Sequence, residues 1–237
     1  ALLSVIKLFY FILKKNIKYD VFITDDILVI PGFILNIKTY FFVDNDIKTL
    51  SLIKYLLPFT DFIIAPESTD LGNYNNKKIS FKGNKAIAHL HPKYFIADKK
   101  YVKCKNQFFL IRIAKLNAVH DDINNSGIND INLKKLIELL IPHGDILISA
   151  ERKLPYEFEK YRLNINPSLV SHYINFCKIF IADSGTMATE AAVLGRPNIL
   201  LNNLAEKCGV HVELKKIYKL QYYYNSFDQL FDKVKVL

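Results

Sequence analysis

Apolar and polar positions follow two rhythms along this chain. Short apolar runs rich in β-branched and aromatic residues occur at DVFIT (20–24), KTYFFV (38–43), DFIIA (61–65), FFLIRI (108–113), DILIS (145–149), KIFIA (178–182) and PNILL (197–201). Each is bounded by polar residues and predicts a strand. Between them, helical patterns lie over 2–16, 46–57, 131–142, 167–176, 186–195 and 226–236. Apolar strands spaced by helices predict βαβ units and parallel sheets, hence an α/β fold.

The strands fall into two groups. Three precede an irregular segment rich in Pro, Gly and Asn (66–106), and four follow it. That segment reads as a junction near residue 100. The expected domains are 1–100 and 101–237, with the last helix packing back on the first domain. The chain opens on a helix where a doubly wound domain opens on a strand, so the first sheet reads as lacking its opening β-α units.

Composition narrows the class. With 237 residues, 51% hydrophobic and 23% charged, the chain suits a packed protein and excludes collagenous or broadly disordered classes. A net charge of +9 predicts an anionic partner. The basic residues are dispersed, with Lys-Lys pairs at 14–15, 77–78, 99–100, 134–135 and 215–216 and no base-reading motif, so nucleic acid is not expected. Cys104, Cys177 and Cys208 are odd in number and widely spaced, which predicts neither a disulfide framework nor a zinc site and points to a cytoplasmic protein. The opening run ALLSVIKLFYFILKK is broken by Lys7 and too short to span a bilayer. It reads as a half-buried helix, or as one lying on the inner face of the membrane with Lys14 and Lys15 at its end.

The densest chemistry lies at 183–195. KIFIA ends a strand, DSGT makes a turn, MATEAAVL continues as a helix, and Gly195 and Pro197 stop it. Ser184 or Thr186 can cap the helix, and Gly185 lets the backbone approach a ligand. Free N–H groups and the helix dipole make this turn an anion seat. At about 100° per residue, Glu190 sits about 60° from Met187, beside the apolar stripe. A carboxylate there either reaches out to water or accepts hydrogen bonds from ligand hydroxyls.

The stretch DSGTMATEAAVLGRPNI resembles the nucleotide-binding helix of GT-B glycosyltransferases and of UDP-N-acetylglucosamine 2-epimerases. Together with FKGNKAIAHLHPKYF (81–95), LNAVHDD (116–122) and ISAERKLPYEFEKYRLNI (148–165), it is more similar still to domain-of-unknown-function family 354 (DUF354), which shares that fold. The resemblance implies two Rossmann-like parallel-sheet domains facing a cleft. It implies that Ser184, Gly185 and Thr186 meet the diphosphate of a nucleotide sugar and that Glu190 holds the ribose hydroxyls. A family stretch also matches at Lys82, Gly83, His89, Leu90, His91 and Pro92, with Ala86 or Ala88 where an acidic residue is commoner.

Further candidates follow from strand ends. Arg112, Asn117, His120 and Asp121 follow or end a strand, where Arg112 suits a phosphate and His120 suits acid/base work; a solvated loop is the alternative. Glu151 and Arg152 suit either the site or a surface ion pair. His89 and His91 have metal-like spacing without the supporting ligands, so no metal is expected. Asp25 and Asp26 end one strand, Asp44 and Asp46 another, and Asp26 with Asp44 are the candidates for paired proton transfer; solvated strand-end aspartates are the alternative. The catalytic set is then Asp26, Asp44 and His120. The resemblance implies glycosyl transfer from a UDP-sugar to a glycan or lipid-linked acceptor in cell-surface polysaccharide synthesis, with no cofactor. An epimerase and a non-catalytic nucleotide-sugar-binding module are the alternatives.

Overall fold

The computed structural model describes residues 2–15, 18–50, 52–114 and 127–236. In chain order its elements are α1 (Leu2–Lys15), β1 (Val21–Thr24), α2 (Val29–Ile34), β2 (Lys38–Phe42), β3 (Phe62–Pro66), β4 (Lys78–Phe81), α3 (Ile87–Leu90), β5 (Phe108–Ile113), α4 (Asp130–Leu140), β6 (Asp145–Ala150), α5 (Tyr156–Glu159), α6 (Val170–Phe176), β7 (Phe180–Ala182), α7 (Gly185–Val193), β8 (Asn198–Leu201), α8 (Gly209–Lys216), β9 (Gln221–Tyr224) and α9 (Phe227–Val236). They form two compact units. The first is Ala1–Lys85 with Lys207–Val210; the second is Ala86–Glu206 with His211–Leu237.

The first unit holds a four-stranded sheet in the order β1-β2-β3-β4, parallel throughout. Its core gathers Val29, Phe41, Leu57, Ile63, Ala65 and Leu71. α1 buries Ile12 and leaves Leu3, Ile6, Tyr10 and Leu13 exposed. Among the described residues of 46–57 no α-helix forms: short 3-10 turns at Ile53–Tyr55 and Leu57–Phe59 stand there instead. Pro58 breaks the α pattern, and burial of Leu50 and Leu57 in the core overrides local propensity. α2 contains Pro31 and Gly32, a pair that reads as a turn, and a Cβ on Gly32 would stand 2.7 Å from Thr39 Cγ2. Close packing of α2 on β2 therefore requires a residue without a side chain. β4 was not legible in the pattern, because its half-exposed edge sequence KISF lies among lysines and asparagines.

The second unit holds five parallel strands in the order β6-β5-β7-β8-β9. β5 shows why its sequence is apolar at every position but Arg112. Phe109, Ile111 and Ile113 face one layer, with Leu133 and Leu136 of α4 and Leu230 and Val234 of α9. Phe108 and Leu110 face the other, with Tyr173 and Ile174 of α6 and Ala191 of α7. Both faces of the sheet are covered, as a parallel sheet demands. The chain runs from β5 to β6 on one side and then crosses to β7 on the other. The order of the strands therefore reverses between β5 and β7, and in open α/β sheets ligands bind beyond the carboxyl ends of the strands at such a point.

Candidate functional site

Asp183 and Ser184 follow β7, and Ala114 follows β5, so the switch point lies at these residues. Asp183 is buried, and its Oδ1 accepts the Ala114 N–H at 2.7 Å while its Oδ2 accepts the Ile128 N–H at 3.0 Å. Burial pushes the Asp183 carboxyl above the ordinary aspartate range, against the pull of those two backbone donors. The carboxylate thereby ties the exit of β5 to the approach of α4 and fixes both to the start of α7. Asn117, His120 and Asp121 lie outside the described residues.

Ser184 stands at the N-cap position of α7 with extended backbone, but its side chain makes no capping hydrogen bond. Thr189 Oγ1 bonds back to the Gly185 carbonyl at 3.0 Å. The first turn of α7 thus presents backbone N–H groups that Ser184 does not cap, with Thr186 exposed beside them. Such a turn attracts an anion through its N–H groups and the helix dipole.

One turn along, Glu190 is mostly buried, and its Oε1 lies 3.5 Å from His89 Nε2 on α3. Two residues from separate motifs are thus brought together, which spacing alone did not indicate. His91 takes a local role, its Nδ1 accepting the Lys93 N–H at 3.1 Å. Among the described residues no group of three or more His, Cys, Asp or Glu is placed to hold a metal ion.

Arg112, on the last turn of β5, is held along the sheet. Its Nη1 donates to Ser149 Oγ at 2.8 Å and its Nη2 pairs with Glu151, while its Nε is buried without a hydrogen-bond partner among the described residues. Arg152 pairs with Asp130 at 2.7 Å and donates to the Ile128 carbonyl. Glu151 and Arg152 therefore have separate partners, on β5 and on α4.

In the first unit the strand-end aspartates are structurally engaged. Asp26 Oδ1 accepts the Leu28 N–H at 2.8 Å and the Thr24 hydroxyl, stabilising the turn into α2. Asp44 pairs with Lys85 at 3.1 Å. Asp46 is buried and accepts the N–H groups of Asp70 at 3.0 Å and Gly209 at 2.6 Å.

Sequence reasoning missed a polar chain in the second unit. Asn198 on β8 and Gln221 on β9 are fully buried, and Gln221 Nε2 donates to Asn198 Oδ1 at 2.9 Å. Gln221 Oε1 is 2.8 Å from His211 Nδ1 on α8. The signal was a polar residue opening each of two strands, PNILL and LQYYY.

The sequence profile of a family described as "Protein of unknown function (DUF354)" matches residues 4–212. The chain belongs to that family. No curated protein matches this DUF354 chain. Among solved structures it is similar to UDP-GlcNAc 2-epimerase from Neisseria meningitidis bound to UDP-GlcNAc, with 16% identity and a TM-score of 0.69 over 97% of this chain and 70% of that one. It is similar to the Methanocaldococcus jannaschii UDP-GlcNAc 2-epimerase in complex with UDP-GlcNAc and UDP, with 15% identity and a TM-score of 0.63 over 98% and 72%. It is also similar to the spinosyn forosaminyltransferase SpnP, with 11% identity and a TM-score of 0.55 over 98% and 72%. At these identities the likeness establishes the fold: two parallel α/β sheets of the GT-B kind, the first with four strands and the second with five. Among the described residues no helix is long and apolar enough to cross a membrane.

Proposed function

We propose that this DUF354 protein binds a nucleotide-diphosphate sugar, a UDP-sugar in the first instance, at the start of α7. The diphosphate meets Ser184, Gly185 and Thr186, and Glu190 accepts the ribose hydroxyls. The observation that carries this reading is positional. A first turn without a Ser184 side-chain cap, followed one turn later by a carboxylate held beside His89, stands at the switch point of a five-stranded parallel sheet. The net charge of +9 suits an anionic donor. Arg112, bound to Ser149 and Glu151, serves the site as a fixed positive charge near the end of β5.

The reaction proposed is glycosyl transfer to a glycan or lipid-linked acceptor in cell-surface polysaccharide synthesis. N–H groups and cations around the diphosphate stabilise it as the leaving group. Deprotonation of the acceptor hydroxyl falls to Asp26, Asp44 or His120. A second reading, epimerisation of a nucleotide sugar, is favoured by the fold: solved structures similar to this chain include epimerases that hold UDP-GlcNAc. The proton-transfer pair would then be Asp26 and Asp44. Radiolabelled UDP-sugar distinguishes the two, since transfer releases UDP into solution and epimerisation leaves the sugar on the nucleotide.

The binding claim is tested by a thermal-shift screen of UDP, GDP, CDP and TDP and their sugars beside Glu190→Ala. A ligand at 100 times its Kd stabilises the fold by about 2.7 kcal/mol. Stabilisation of the wild type by one nucleotide, lost in the variant, is the expected result. No shift with any nucleotide refutes the reading.

A further inference from the structure

We infer that the amino-end rim of the second sheet is a docking surface for an anionic lipid bilayer, with the turn at Ile217–Lys219 entering the headgroup layer. The start of α7 lies at the opposite, carboxyl end of the same sheet, so this surface is separate from the nucleotide seat and independent of that reading.

The five strands are parallel, so the segments that precede them share one edge. Backbone hydrogen bonds join those segments into a single row. Asp145 N–H donates to the Gln107 carbonyl at 2.9 Å, and Lys178 N–H to that of Phe108 at 2.8 Å. Phe180 N–H donates to the Pro197 carbonyl at 3.2 Å, and Asn198 N–H to that of Leu220 at 3.0 Å. The row therefore runs, in strand order, through 141–144, 102–107, 177–179, 195–197 and 217–220. Four strand spacings of about 4.8 Å make it about 19 Å long.

Its charge is one-sided. Lys103, Lys105, Lys178, Arg196, Lys216 and Lys219 lie on or beside the row, against the single carboxylate of Asp145, which accepts the Cys104 thiol at 3.1 Å. Among the described residues none of the six cations is paired with a carboxylate, and Arg196 Nε is buried without a hydrogen-bond partner. At the carboxyl end, by contrast, Arg112 and Arg152 are paired with Glu151 and Asp130. A helix dipole accounts for Lys216 at the end of α8, but Lys103 and Lys105 lie outside any helix.

Apolar side chains stand at both ends of the row, which a merely solvated basic edge does not need. Ile141 is 49% exposed at the β6 end, and Ile217 is 70% and Tyr218 54% exposed at the β9 end. The latter two sit on a fixed turn. Ile217 N–H donates to the Glu213 carbonyl at 2.9 Å, and Leu220 N–H to that of Leu214 at 3.2 Å. Between them Lys219 has a φ of 56°, a region uncommon for a residue with a side chain. The turn thus holds an isoleucine and a tyrosine out between lysines. Tyrosine suits headgroup depth, isoleucine gains by leaving water, and the lysines face the negative surface of the lipid. Nucleic acid would engage the cations and leave Ile141 and Ile217 in water, so the bilayer is the occupant that uses every group.

The chain has no tryptophan, so Tyr218→Trp places a lone indole on the turn. Its emission should shift to the blue with phosphatidylcholine vesicles containing about one third phosphatidylserine, and not with phosphatidylcholine alone. Co-sedimentation of the full chain with the same vesicles gives the second readout. Lys216→Gln with Lys219→Asn should weaken partitioning about thirtyfold, the asparagine accommodating the left-handed turn. Ile217→Ser should weaken it about tenfold. Lys134→Gln with Lys135→Gln, exposed in the middle of α4, removes the same charge away from the row and should change partitioning by less than about twofold. An emission unmoved by anionic vesicles, a loss in the α4 variant equal to that of the rim variant, or capture of single-stranded RNA but not of vesicles overturns the inference.

Discussion

Replacing Asp183 by alanine isolates what ties the site to the sheet. The substitution removes the acceptors of the Ala114 and Ile128 N–H groups, bonded at 2.7 and 3.0 Å in a buried setting. A buried donor left without its partner costs about 1–3 kcal/mol, so the two together cost about 2–6 kcal/mol. Against this stands the relief of a carboxylate that burial disfavours, as the upward push on its pKa shows. The donors outweigh it, and a net loss of about 3 kcal/mol is expected. Urea unfolding, with a slope of about 2–3 kcal/mol per molar, should show a midpoint lowered by about 1 M. Amide exchange should show Ala114 and Ile128 losing protection first. Asp183→Asn keeps one acceptor and should lose less. Its pH dependence has a definite sign. A raised folded pKa means that the Asp183 contribution is complete below the unfolded aspartate value of about 3.9 and is lost as pH rises through the folded one. The advantage of wild type over Asp183→Asn should therefore narrow as pH rises from about 4. An alanine variant within about 0.5 kcal/mol of wild type, its two amides still protected, would refute the reasoning.

Other outcomes are equally specific. Gly209→Ala places a Cβ 1.7 Å from the Ser68 carbonyl oxygen and displaces the N–H that Asp46 accepts at 2.6 Å, so a loss of about 3–5 kcal/mol is expected in chemical denaturation. Leu136→Ala opens a cavity in the fully buried layer between α4 and the sheet and should cost about 2–5 kcal/mol by the same assay. Burial pushes the Cys177 thiol up to about 12, and burial followed by Asp145 pushes that of Cys104 up to about 11. Native protein at pH 8 should thus leave Cys177 unmodified by a thiol reagent and label Cys104 slowly, with rapid labelling only after denaturation.

Parallel α/β architecture was legible because its signal is local. Runs such as FFLIRI, apolar at five of six positions, arise when both faces of a strand are covered, and β5 is covered on both. α7 was legible for the same reason, with a strand end, a DSGT turn and a terminal Gly195 in one stretch. What failed were elements whose sequence disagrees with their environment. β4 is half exposed and polar-flanked, α2 carries Pro31 and Gly32, and the helical pattern over 46–57 yields to Pro58 and to core burial of Leu50 and Leu57. The sequence by itself determined the class of fold, the strand–turn–helix at 180–193 and the place of Glu190 beside an apolar stripe. Tertiary structure alone decided which residues meet. It joined Glu190 to His89 across about a hundred positions, gave Asp183 the two backbone donors that make it a tie, and set His211 against Gly185 through Gln221 and Asn198. Periodicity reports which face of an element is buried, whereas a hydrogen bond depends on where two distant elements place their atoms within about 3 Å, and no local pattern encodes that.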